Sequence, residues 1–128
     1  MVWEGNVPDL SHLKIEQSIK DRKALHLKFL KHVKTYKPFL EVEEKAFRDG
    51  ALDKKTKELM ALSISIVTKC EPCMEWHLDQ AMQAGATDAE IYETIDVAIE
   101  MGGGQAGAYA RFVFKAMEYF KTKHGERR

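Results

Sequence analysis

The chain has 128 residues, 20 Lys plus Arg balanced by 20 Asp plus Glu, and an apolar fraction of 45%. That composition reads as one water-exposed globular domain spanning 1–128, large enough to bury a core without disulfide or metal staples. The balanced charge leaves no net field toward nucleic acid or a membrane surface, so neither is an expected partner.

The hydrophobic period is helical throughout, and no stretch shows sustained alternation with β-branched residues. An all-α fold of about six helices is therefore expected. The first helix runs from about Ser11 to Tyr36, with Leu13, Ile15, Ile19, Leu25, Leu27, Leu30 and Val33 as its apolar stripe. A break near "TYKP" leads to a short second helix that ends at "RDG", where Gly50 is expected to supply a left-handed stop. Asp53 caps the third helix, "KKTKELMALSISIV", which is nearly continuously apolar after Leu59 and so belongs in a core or an interface. Its β-branched end, "SISIV", leaves a buried strand as the lesser reading.

The fourth helix starts inside "TKCEPCMEWH" and stops at Gly85. Thr87 and Glu90 then form a capping box before the fifth helix, which carries Ile91, Ile95 and Ala98 on one face. "GGG" at 102–104 breaks the chain or lets two backbones meet closely. The sixth helix, "QAGAYARFVFKAMEYF", has small residues at Gly107 and Ala110 and a largely aromatic end. The three prolines, Pro8, Pro38 and Pro72, all fit helix starts. No apolar run reaches the roughly 20 residues of a membrane span. The opening "MVWEGNVPDL" has neither region of a signal peptide. A cytoplasmic location is expected, where a close cysteine pair is more often catalytic or metal-binding than a static bridge.

Both cysteines lie in the "CEPC" stretch. Pro72 suits a first helical turn, which puts Cys70 at or just before the helix start and Cys73 within that turn. Backbone N–H groups there favour a thiolate. His77 lies four residues after Cys73, on the same face, where an imidazole can take the thiol proton. An ordinary thiol, with a pKa of about 8.5, is only about 3% thiolate at pH 7. Making it half thiolate requires about 2 kcal/mol of differential stabilisation, within reach of a helix terminus and one histidine. The other cysteine can close a disulfide on an oxidised first one, which halts oxidation at a reversible step. Cys73 is the expected attacking thiolate because it shares a face with His77, and Cys70 the resolving one, although the helix terminus favours Cys70 too.

Other readings of these residues exist. Two such cysteines can pack as small apolar residues. A zinc site needs four ligands, and Cys70, Cys73 and His77 supply three; His12, His26, His32 and His124 lack the usual local spacing for a fourth. A thioredoxin-like site needs a strand before the helix. No metal or other cofactor is expected.

Adding Glu58 gives E-x11-C-x2-C-x3-H, from Glu58 through Cys70 and Cys73 to His77. This resembles the signature of the AhpD-like alkylhydroperoxidase group within the carboxymuconolactone decarboxylase family. The likeness extends over roughly residues 35–120, including the turn "AGATDAEIYE". The resemblance implies an all-helical, AhpD-like domain that reduces peroxides or disulfides with Cys70 and Cys73. It makes Glu58 the base of a proton relay and His77 its shuttle. It also implies a peroxide or disulfide substrate, a separate reductant protein and a homo-oligomer, a trimer or hexamer. The better-studied peroxidases carry a histidine immediately before the second cysteine. This chain has Pro72 there, which removes one polar group of the relay and leaves dithiol chemistry intact. The alternatives are a lyase of the carboxymuconolactone decarboxylase type, whose members generally lack the cysteine pair, and a non-catalytic oligomeric scaffold.

Overall fold

The break after the first helix falls where Pro38 demands it. Proline would clash with the carbonyl four residues earlier, that of Lys34, so a helix cannot run unbroken through both. In the computed structural model, which describes residues 11–126, α1 (Ser11–His32) accordingly ends four residues before the expected Tyr36. A turn in which Tyr36 N–H donates to Val33 O at 3.1 Å follows, and α2 (Tyr36–Phe47) takes Pro38 into its first turn, where no N–H is missed. Pro8 and the rest of the opening ten residues lie outside the described residues.

Gly50 does not form the left-handed stop expected of it. The chain leaves α2 already at Arg48, in extended conformation, and the only left-handed glycines among the described residues are Gly85 and Gly103. Asp53 caps α3 (Lys54–Val67) as expected, its carboxylate accepting from Thr56 N–H at 2.8 Å. "SISIV" is helical. Next comes α4 (Glu71–Gln83), closed by Gly85 at φ 95°. The Thr87–Glu90 capping box then starts α5 (Asp88–Glu126): Thr87 N–H donates to Glu90 Oε1 at 2.9 Å, and Glu90 N–H to Thr87 Oγ1 at 3.2 Å.

There are thus five helical segments among the described residues, and no strand. The two helices expected on either side of "GGG" both form: α5 consists of two helices that meet at Gly103, whose φ of 72° and ψ of −159° are not helical. The pairs Asp88–Lys121, Tyr92–Phe114 and Ile99–Gly107 lie progressively closer to the bend, so the halves fold back antiparallel. Gly102 also permits the close approach foreseen there. A Cβ on it would sit 2.8 Å from Ala106 Cβ and 3.3 Å from Val67 Cγ2.

The core forms where α3, α4 and both halves of α5 meet, around Leu62, Ile66, Met74, Leu78, Ile91 and Val113. From α1, Ile15 reaches this core and Ile19 packs against it. Leu13, Leu25, Leu27, Leu30 and Val33, the rest of the expected stripe, are exposed in the single chain. α2 buries no residue at all. No described helix is long and apolar enough to cross a membrane.

Candidate active site

Helices α3 and α4 join through three residues. Lys69 takes the left-handed conformation, φ 59°, and Cys70 N–H donates back to Ser65 O at 3.0 Å. The reversal makes the helices an antiparallel pair, and two contacts continue the register outward from the turn, Glu58 with His77 and Lys54 with Gln80. This is how Glu58, nineteen positions before His77 in the chain, arrives beside α4.

Cys70 occupies the N-cap of α4, and its Sγ accepts from Cys73 N–H at 3.3 Å. Pro72 lies in the first turn, as its missing donor allows. Cys70 and Cys73 are joined by a disulfide with Cα atoms 5.2 Å apart. Both cysteines are partly exposed.

Glu58 is 1% exposed, although the lysines around it make its segment polar. Its Oε2 lies 3.0 Å from His77 Nδ1, and its Oε1 lies 3.8 Å from Lys54 Nζ. An Nδ1–H donated to the carboxylate leaves the lone pair of Nε2 available as a base. Phe47 of α2 stacks on the imidazole, with centroids 5.2 Å apart and planes at 24°. The four residues of the motif therefore fall into two groups on one helix pair. One is the disulfide at the start of α4, and the other is a carboxylate–imidazole pair further along it.

Several residues around this site were not foreseen. Lys54 donates to Gln80 Oε1 at 3.0 Å while facing Glu58. Glu75, two residues after Cys73, is buried and accepts both oxygens' worth of contact from Arg22 of α1, at 2.8 and 2.9 Å. Burial pushes the Glu75 carboxyl above the ordinary carboxylate range; Arg22 pulls against that shift, and Asp79 adds to it. Arg22 also lies 4.7 Å from the centre of the Trp76 ring, and Trp76 Nε1–H donates to Glu43 Oε1 at 3.0 Å. Trp76 thus ties α1 and α2 to the helix that carries the cysteines. Arg22 and Glu75 are 53 positions apart, and no local pattern marks them as partners. His26, considered above as a zinc ligand, pairs with Tyr36 Oη at 2.7 Å. Among the described residues, no group of three or more His, Cys, Asp or Glu side chains converges as a metal set would.

A helical bundle with a Cys-x-x-Cys disulfide at a helix start, beside a buried carboxylate–imidazole pair, defines a dithiol class of α-protein. The carboxymuconolactone decarboxylase family pattern matches residues 34–116, well over half of the chain, and the chain belongs to that family. It is 35% identical to lpg0406 of Legionella pneumophila, a protein of the same family, with a TM-score of 0.79 over 84% of this chain and 96% of that one. A crystal structure of TM1620 from Thermotoga maritima aligns with a TM-score of 0.74 at 32% identity, over 88% of this chain and 96% of that one. The description of another TM1620 crystal structure raises an involvement in antioxidative response. Among curated proteins, uncharacterised protein 4 of the Paracoccus denitrificans cox locus is 47% identical over 72 residues, 56% of this chain. The match spans 65% of that protein's length, just under two thirds. An uncharacterised protein of Cupriavidus necator is 37% identical over 82 residues, 64% of this chain and 70% of that protein.

Proposed function

We propose that this protein is a thiol–disulfide oxidoreductase that uses a peroxide or a disulfide as its oxidant. The observation that carries this reading is the pairing of two features on one helix: a partly exposed Cys70–Cys73 disulfide at its N-terminus, and His77 on Glu58 at 3.0 Å further along. The description of TM1620 in terms of antioxidative response is consistent with such chemistry.

In the reduced protein, His77 Nε2 takes the proton of the Cys73 thiol, and Glu58 holds the resulting imidazolium. The Cys73 thiolate attacks the terminal oxygen of a hydroperoxide. The O–O bond breaks, an S–O bond forms, and the departing alkoxide takes the proton to leave as an alcohol. Cys73 is then a sulfenic acid. The Cys70 thiol attacks that sulfur, forming the disulfide and releasing water. A dithiol reductant restores both thiols and is itself oxidised to a disulfide. When the oxidant is a disulfide, the Cys73 thiolate attacks one of its sulfurs and the other leaves as a thiol; Cys70 then attacks Cys73 of the mixed disulfide, closing the Cys70–Cys73 bond and releasing the second thiol. Pro72 adds no polar group to the relay, so His77 and Glu58 carry the proton transfers alone. The protein works as a homo-oligomer in the cytoplasm and draws electrons from a separate reductant protein.

The test is stoichiometric peroxide added to the reduced protein, followed by mass spectrometry. Wild type should form the intramolecular disulfide, and Cys70→Ser should trap a sulfenic acid at Cys73. A sulfenic acid trapped at Cys70 in Cys73→Ser instead would reverse the two roles. Thiols of ordinary reactivity that form no intramolecular bridge would exclude the proposal. Turnover of a small lactone acid that survives loss of both cysteines would point to a lyase instead.

A further inference from the structure

Phe47 is the last residue of α2, a helix that buries none of its residues, yet that end of the helix is firmly tied down. Arg48, next in the chain, offers its carbonyl to Lys57 Nζ at 2.7 Å. Asp49 Oδ1 accepts from the backbone N–H of Lys54, at the start of α3, at 2.6 Å. One turn before Phe47, Glu43 accepts from Trp76 Nε1–H of α4 at 3.0 Å. Residues four apart share a helix face, so Glu43 and Phe47 both look toward α4, where Trp76 and His77 are neighbours. Held from α3 and from α4, Phe47 lies against the His77 imidazole, with centroids 5.2 Å apart and planes at 24°.

We infer that Phe47 is a positioning residue of the relay: its ring fixes the plane of the His77 imidazole and so keeps the nitrogen not held by Glu58 aimed for proton transfer. The inference rests on the oxidoreductase reading above. The contact from Glu58 Oε2 to Nδ1, at 3.0 Å, places one corner of the imidazole. Hydrogen bonds tolerate a broad range of angles, so that contact alone lets the ring rock about its anchored corner and swings Nε2 through an arc. A stacked aromatic ring limits the rocking, because the imidazole cannot tilt toward it without a clash or away from it without losing the contact. Orientation matters here because a base works only within hydrogen-bond reach of its proton, and a displacement of about 1 Å can cost a hundredfold in rate. Phe47 is only half-buried and does not belong to the core cluster, so its ring is not required to complete the core.

The measurement is the rate of peroxide-driven disulfide formation in the reduced full chain, followed by rapid-mixing fluorescence. Phe47→Leu keeps an apolar side chain and loses the flat face; it should react about tenfold more slowly. Phe47→Tyr restores a flat ring and should stay within about threefold of wild type. In a His77→Ala background, Phe47→Leu should change the slow residual rate by less than about twofold, because no imidazole is left to orient. A Phe47→Leu rate within about threefold of wild type, or a tenfold drop that persists without His77, would overturn the inference; the second result is what a merely structural Phe47 would give. The stacking itself is read without any turnover, by nuclear magnetic resonance of the disulfide form. Loss of the shielding Phe47 ring should move the His77 ring-proton signals downfield in Phe47→Leu but not in Phe47→Tyr, and unmoved signals in Phe47→Leu would also overturn the inference. Wild type that forms no disulfide with peroxide would overturn the oxidoreductase reading and the inference with it. Wild type that reacts and is matched by Phe47→Leu would overturn the inference alone.

Discussion

Glu58 shows what a single side chain does when the fold buries it. In sequence it sits among lysines and looks like a solvated helix residue, yet it is enclosed and holds His77 at 3.0 Å. Glu58→Gln keeps the shape and removes the charge. On the proposed mechanism, the rate of peroxide-driven disulfide formation, followed by rapid-mixing fluorescence, should fall about a hundredfold or more while the helical signal persists. Glu75 makes a different prediction, about stability. Its carboxyl is raised in the fold, chiefly by burial, so the folded state prefers the protonated form. Its contribution to stability is then fullest below the ordinary carboxylate value of about 4.5 and is lost as pH rises through the higher folded value. Urea unfolding of wild type and Glu75→Gln across pH 4 to 8 (about that range suffices) should show wild type losing ground to the variant as pH rises. The opposite slope would mean that the Arg22 pair outweighs burial.

At the scale of elements, the turns are where the chain departs from expectation. Lys69 holds a left-handed conformation immediately before Cys70, at a cost of about 1 kcal/mol for a residue with a Cβ. Lys69→Gly should recover about that amount, read as a higher urea midpoint at unchanged slope. Gly103 is the converse case. Its φ of 72° and ψ of −159° lie in a region that is essentially glycine's alone. Gly103→Ala should destabilise the protein by about 1–3 kcal/mol, and a melting temperature equal to wild type would contradict that. The helix signals at Asp53, Thr87, Glu90, Pro72 and Gly85 were legible because each acts within a few residues of itself. Gly50 was misread because glycine permits a left-handed stop without requiring one, and the chain had already left α2 at Arg48.

For the molecule as a whole, the telling feature is apolar surface left uncovered by a single chain. On α3, Met60, Ile64 and Val67 recur at helical spacing and remain exposed, Ile64 at 61%. Val97 and Met101 of α5 and Phe39 and Val42 of α2 are exposed as well. A surface of this kind fits the homo-oligomer proposed above. Light scattering on the purified protein should give a mass that is a multiple of the 14.7 kDa chain. Ile64→Glu should lower that mass, because a charge buried in an apolar interface is left unpaired. A monomeric wild type would remove the assembly from the proposal.

By itself the sequence determined the helical class, most helix starts and the C-x-x-C pair with its histidine, since propensity, capping and i, i+4 spacing are local. It also placed Glu58 in the motif, but only through resemblance to a family. The tertiary structure decided which distant groups meet. The left-handed Lys69 reverses the chain and brings Glu58 and Lys54 beside α4, and packing of α1 and α2 brings Arg22 to Glu75 and Phe47 to His77. Those contacts arise from where whole helices dock, a choice made by the shared core and invisible to any window of a few residues.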